Sequence, residues 1–267
     1  MKFEIYKPGQ DLSIATTRGN FILIYGKSKV GKSASCLATA EDPIFWMLME
    51  RGQVDLTLKA INRKDLRLKV GYYEGWDDLI DVVYDLNNFK QIKTVLFDGL
   101  THVMNIHLSD EIIDESFEAR EKTKVRKELS SRGKMTQENF GVLSRQMIRL
   151  MKGFERLTVN GIDVICTARD TSSPKWDRAL SCAPALSGKE FPRDIKGFFD
   201  FIGFVQSRFD KNDETKIVYP PYVSFDDDGS YLSGWTGVKP ASGVINKKLD
   251  IKKILEVAHG KVTKEQI

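Results

Sequence analysis

The sequence predicts an α/β protein: a mainly parallel central sheet flanked by helices, with a small antiparallel extension toward the C-terminus. Three observations carry that expectation. Short apolar runs (21–25, 44–49, 94–97 and 162–168) alternate with stretches whose apolar residues recur at helical spacing. A glycine-rich segment of the form G-x-x-x-x-G-K-S, residues 26–33, lies between the first apolar run and a helical stretch. Finally, Gly26, Glu50, Asp98 and Thr167 each stand at the end of an apolar run, so one edge of one sheet would collect them.

Taken in order, residues 1–20 are polar and read as a short strand or arm leading into the first buried strand, Phe21 to Tyr25. Ala34 to Ala40 predicts a helix. Ile44 to Met49 predicts a second buried strand after Asp42-Pro43, and Leu66 to Tyr73 a third. Trp76, Leu79, Ile80, Val83 and Leu86 fall at helical spacing, and Thr94 to Phe97 is a compact strand closed by Asp98-Gly99. Leu143, Met147, Leu150, Met151 and Phe154 mark an amphipathic helix with Arg145, Arg149, Lys152 and Arg156 off its apolar stripe. Ile162 to Ala168 and Phe199 to Gln206 read as further strands. Two short antiparallel strands are expected at 216–219 and 222–225, with a turn at Asp226-Asp227-Asp228-Gly229. Ile251, Ile254, Leu255 and Ala258 predict a closing helix. The expected division is a core over 1–240 and a helical tail over 241–267. Within the core lie a basic insertion at about 119–140 and a long mobile loop at about 170–196.

Composition narrows the class. At 267 residues, 41 % hydrophobic and 29 % charged, the chain reads as an ordinary globular protein. No apolar run approaches the ~20 residues that span a bilayer, and Met-Lys-Phe-Glu-Ile-Tyr lacks the apolar centre of a signal peptide. Cys36, Cys166 and Cys182 are odd in number and widely spaced, which predicts reduced thiols and a cytoplasmic location, that of the host cell if the chain is phage-encoded. The net charge is +4, but residues 119–156 hold eleven Lys/Arg against four Glu, which points to one face suited to a polyanion.

The spacing of 26–33 is that of a phosphate-binding P-loop. Gly26 and Gly31 allow positive φ, so the amides of Lys27, Ser28, Lys29, Val30, Gly31, Lys32, Ser33 and Ala34 can turn inward around an anion. Lys32 adds a cation for the β- and γ-phosphates, Ser33 a hydroxyl for Mg²⁺, and the following helix its positive end. Asp98, closing a buried strand downstream, is the Walker B position and would hold Mg²⁺ directly or through water. The expected ligands are therefore ATP and Mg²⁺.

P-loop proteins differ in where the water-activating carboxylate sits. AAA-type motors carry Glu directly after the Walker B Asp, where this chain has Gly99; the well-placed carboxylate is Glu50, ending the strand after the P-loop helix. In that arrangement the sequence resembles the RecA class. The segments Ile-Tyr-Gly-Lys-x-x-Val-Gly-Lys-Ser, Met-Glu-Arg-Gly at 49–52, Leu-Phe-Asp-Gly-Leu at 96–100 and Phe140-Gly141 resemble the small phage RecA-like P-loop ATPases that accompany single-strand annealing and recombination, over most of residues 18–237.

The resemblance implies a RecA-like fold in which Glu50 polarises the attacking water, Lys32 holds phosphate, Ser33 and Asp98 hold Mg²⁺, and Thr167 is a polar sensor, where RecA itself has Gln in this region. It implies single-stranded DNA as partner, gripped by Lys124, Arg126, Lys127, Arg132 and Lys134 in one loop and by Trp176 and Arg178 in the next. It further implies a homo-oligomeric ring or filament with Arg208 or Lys216 as the finger in trans, and a single-strand-binding or annealing protein as companion. Other functions share the P-loop. They are a replication motor or helicase loader with a protein partner, a small-molecule kinase with Arg178 and Arg193 in a lid, and a nucleotide-dependent regulator that scarcely hydrolyses.

Overall fold

The computed structural model describes residues 18–52, 54–61, 63, 65–122, 135–174, 176, 177, 179–210, 212, 213, 217–225, 229–235 and 247–258, and of 117–122, 247 and 258 the backbone alone. Its strands are β1 (Phe21–Gly26), β2 (Ile44–Leu48), β3 (Leu68–Tyr72), β4 (Thr94–Asp98), β5 (Asp163–Ala168), β6 (Asp170–Ser172), β7 (Cys182–Pro184), β8 (Phe201–Phe209), β9 (Ile217–Ser224), β10 (Gly234–Trp235) and β11 (Lys247–Lys248). The helices are α1 (Lys32–Thr39), α2 (Val54–Ile61), α3 (Trp76–Tyr84), α4 (Leu100–His102), α5 (Ser109–Lys122), α6 (Gln137–Val159), α7 (Glu190–Asp194) and α8 (Ile251–Ala258). A π-helical turn, Val103–Leu108, joins α4 to α5 without a break.

The sheet runs β3-β2-β4-β5-β1-β8, all parallel, and continues antiparallel through β9 and β11, with β10 pairing the first residues of β8. Because β5 is inserted between β1 and β4, the strand leading into the P-loop and the strand ending in Asp98 are one strand apart. Alternation along β1 divides the core. Phe21, Leu23 and Tyr25 face a cluster built with Phe97, Leu143, Met147, Leu150 and Phe154. Ile22 and Ile24 face a second cluster with Trp46, Cys36, Leu37, Ile251 and Ile254. Both faces are covered, which explains why these strands read as continuous apolar runs. On α6 the expected stripe is buried while Arg145, Arg149, Lys152 and Arg156 are exposed. Arg149 and Arg156 also flank the ring of Tyr84, at 6.0 and 5.1 Å.

Four stretches differ from expectation. The described residues of 170–196 form secondary structure where one long loop was expected. Ser172, Thr171 and Asp170 pair antiparallel with Cys182, Ala183 and Pro184, α7 follows, and Leu180, Ala183, Leu186, Phe191 and Ile195 enter the first core cluster. The two short strands expected across 216–225 are one strand, β9, and a register shift opposite Gln206 and Arg208 leaves Pro220 and Pro221 in a bulge, where their missing amides break no ladder bond. The stretch expected as a tail adds β11 to β9, and Leu249, Ile251 and Ile254 bury in the second cluster. Helix α2, absent from the expected elements, has no fully buried residue to mark a stripe. The arm before residue 18 and the Asp226–Asp228 turn lie outside the described residues.

Phe154 is fully buried, edge-on to Phe97 with centroids 5.0 Å apart and to Phe21 at 6.0 Å. Phe154→Ala should cost about 3–5 kcal/mol of stability, read as a lower denaturant midpoint at similar slope.

Candidate active site

The carboxyl ends of the parallel strands form one row. The register sets Leu48 beside Asp98, Asp98 beside Thr167, and Thr167 beside Ile24, two residues before Gly26. Glu50 follows β2 by two residues, and a further rung, Met49 N–H to the Asp98 carbonyl at 3.0 Å, carries the pairing up to it. A cleft of roughly 710 Å³, part of it open to solvent, is lined here by residues that include Lys32, Ser33, Glu50, Asp98, Thr167 and Arg169.

The P-loop has the backbone its glycines require. Gly26 has φ +155° and a side chain there would meet the Val205 carbonyl oxygen at 2.4 Å; Gly31 has φ +97°, with the Tyr219 ring 2.5 Å from where a Cβ would sit. Lys29 also takes positive φ, at 62°. Lys27, Ser28 and Lys29 are exposed, whereas Val30 is buried in the second core cluster, so Val30 anchors the loop and offers only its backbone outward. The Lys32 ammonium donates to the carbonyls of Gly26 at 2.8 Å and Lys27 at 2.7 Å. Burial pulls its pKa below the usual lysine value, and the Asp98 carboxylate opposes that shift. Ser33 and Ala34 stand in the first turn of α1, whose positive end faces the cleft.

Asp98 accepts three hydrogen bonds. Ser33 Oγ donates to Oδ1 at 2.8 Å, Thr167 Oγ1 donates to the same oxygen at 2.6 Å, and the Trp46 indole donates to Oδ2 at 3.0 Å. Thr167 also accepts the Gly99 amide at 3.1 Å, so its hydroxyl bridges the Asp98 carboxylate and the turn that follows it. Ser33 and Asp98 offer two hard oxygens side by side. Among the described residues no group of three or more His, Cys, Asp or Glu forms a metal cage. The pair therefore suits Mg²⁺, which takes its remaining ligands from water and phosphate.

Glu50 shares the cleft but is engaged. Arg169 Nη2 donates to its Oε1 at 2.6 Å, and His102 Nδ1 lies 3.4 Å from the same oxygen. Burial lowers the His102 pKa below the ordinary histidine value, against the pull of Glu50. His107, presented by the π-helical turn, donates Nε2–H to the Met49 carbonyl at 2.8 Å and stacks on Tyr73. The backbone beside Glu50 is thus held from outside the sheet.

Other expected site residues fall elsewhere. Trp176 packs partly buried on the first core cluster with its indole nitrogen closed off from solvent, which differs from a ring held open for a base. Arg208 donates to the Tyr219 carbonyl at 2.8 Å within its own hairpin. Lys124, Arg126, Lys127, Arg132, Lys134, Arg178 and Lys216 lie outside the described residues. Conversely, Trp46, His102, Arg169 and Tyr219 belong to the site and went unread. Trp46 looked like core, and Arg169 stands two residues past Thr167, where a strand-end position was the available signal.

Phosphate is the ligand that a loop with positive φ at Gly26, Lys29 and Gly31, a lysine lodged in it and a paired hydroxyl and acid would hold together. The sheet and this edge define a P-loop nucleotide-binding ATPase. The model of the family described as "AAA domain" matches residues 18–220, well over half of the chain, and the chain belongs to that family. Comparison with curated proteins finds no match.

Asp98→Asn should lower nucleotide affinity about tenfold in Mg²⁺ and barely change it in EDTA, measured by calorimetric titration.

Proposed function

We propose that the chain is a Mg-ATP-hydrolysing ATPase with a RecA-like core, acting as a homo-oligomer on single-stranded DNA in phage recombination, annealing or repair. The observation that supports hydrolysis is Glu50, a carboxylate at the lip of the cleft that holds Lys32, Ser33 and Asp98. Gly99 occupies the place where a glutamate next to Asp98 would stand, and Glu50 fills that chemical role from the neighbouring strand. The loop amides and Lys32 bind the phosphates, and Ser33 and Asp98 hold Mg²⁺, which when bound neutralises charge on the β- and γ-oxygens. Glu50 accepts the proton of a water whose oxygen bonds to the terminal phosphorus as the bond to the bridging oxygen breaks. ADP and phosphate leave.

The polynucleotide part rests on charge. The basic excess of 119–156 continues along α6, where Arg145, Arg149, Lys152 and Arg156 keep to one exposed side. Phosphate-gripping side chains of this kind give salt-dependent, sequence-tolerant affinity. A single-strand-binding or annealing protein is the companion such an activity would use, and the cytoplasm is where it would work. In the described residues no helix is long and apolar enough to cross a membrane.

Hydrolysis by the purified chain, with and without single-stranded DNA and across a salt series, tests the proposal. DNA should stimulate turnover and bind less tightly as salt rises; absence of DNA binding at low salt would remove the DNA part and leave the ATPase. Glu50→Gln should keep Mg-ATP bound while slowing hydrolysis by about 100-fold or more, and Lys32→Ala should lose nucleotide binding. Full activity of Glu50→Gln would assign the water to another residue.

A further inference from the structure

We infer that Arg169 is a positioning residue that parks Glu50 while the enzyme idles, its side chain reaching from a backbone held between the main sheet and the β6–β7 hairpin. The inference rests on the reading of Glu50 as the water-activating carboxylate. Its ground is that Glu50 Oε1 accepts from Arg169 Nη2 at 2.6 Å, with His102 Nδ1 3.4 Å from the same oxygen, so the carboxylate is held by protein groups at the lip of the cleft. Both partners of the ion pair are open to water, with side-chain exposures of 47 % for Arg169 and 41 % for Glu50. Pairs that exposed are weak enough to break in use, so the contact restrains the carboxylate without locking it.

The backbone of Arg169 fixes the point from which the guanidinium reaches. Its N–H donates to Thr101 Oγ1 at 2.9 Å, which ties it to the first turn after Asp98-Gly99. Its carbonyl accepts the Ala185 amide at 2.8 Å, and Asp170, the next residue, opens β6. Arg169 is therefore the joint between the main sheet and the hairpin. The other limb is pinned by Asn105 in the π-helical turn, which donates to the Ala185 carbonyl at 3.0 Å and accepts the Ser187 amide at 3.0 Å. With that backbone held at both ends, release of Glu50 takes a change of rotamer in the exposed Arg169 side chain. Turnover at rest is suppressed, and removing the guanidinium raises it.

The test is the rate of ATP hydrolysis by the full chain, without polynucleotide, in a short series of variants. Arg169→Ala should raise kcat roughly fivefold with KM for Mg-ATP unchanged. Arg169→Lys, which keeps the charge without the fork, should lie between it and the native chain. The gain must vanish in Glu50→Gln/Arg169→Ala. A second readout needs no turnover: in nucleotide-free protein, Glu50→Gln and Arg169→Ala should shift Tm non-additively, by about 1 °C. An Arg169→Ala kcat at or below the native value, or additive Tm shifts, each overturns the inference. Normal hydrolysis by Glu50→Gln alone instead overturns the assignment of Glu50, a separate failure.

Discussion

The site depends on the Asp98 carboxylate and the three donors that converge on it. Ser33 reaches it from α1, Thr167 from β5 and Trp46 from β2, while Asp98 itself ends β4. One side chain thus ties together four separate segments at the carboxyl edge of the sheet. Each donor is partly or fully buried, so leaving any of them unpaired would carry a desolvation penalty. That penalty fixes the relative height of the strands to within hydrogen-bonding distance. It also aims an acidic oxygen at the serine in the first turn of the P-loop helix.

From that fixed row the remaining geometry follows. With β5 between β1 and β4, Thr167 becomes the spacer between the P-loop and Asp98, and the residues just past β5 are brought to the mouth of the cleft. Arg169 arrives there because β5 ends at Ala168. Glu50 arrives because the β2–β4 pairing runs one rung beyond β2. The π-helical turn after α4 supplies the counter-support, since it presents His107 to the Met49 carbonyl and Asn105 to the exit of the β6–β7 hairpin. A helix with that extra residue in its turn is therefore coupled to both the Glu50 lip of the cleft and the hairpin beside it.

Much of this was legible because the signals were local. A buried strand, a glycine-spaced loop and a helix lie contiguous in 21–39, and the covered parallel strands show as unbroken apolar runs. What escaped had weak or contrary local signals. Strand β9 contains Pro220-Pro221, which reads as a break until the bulge is seen. The β6–β7 pairing joins two three-residue segments about ten residues apart, too short for alternation to register. Helix α2 lacks a buried stripe. Trp46 was counted as core by its apolar neighbours, correctly for its ring and without regard to its indole N–H. The meeting of Arg169 with Glu50 spans 119 positions and depends on strand order, which periodicity does not encode.

The proposed site sets Asp98 at its metal end and Glu50 at its water end, and a structure with Mg²⁺ and a non-hydrolysable ATP analogue tests both at once. It should show the metal beside Ser33 and Asp98, Thr167 still bonded to Asp98, and Glu50 facing the terminal phosphate with a water between them. Metal held away from Asp98, or Glu50 turned out of the cleft with another acid next to the terminal phosphate, would contradict it.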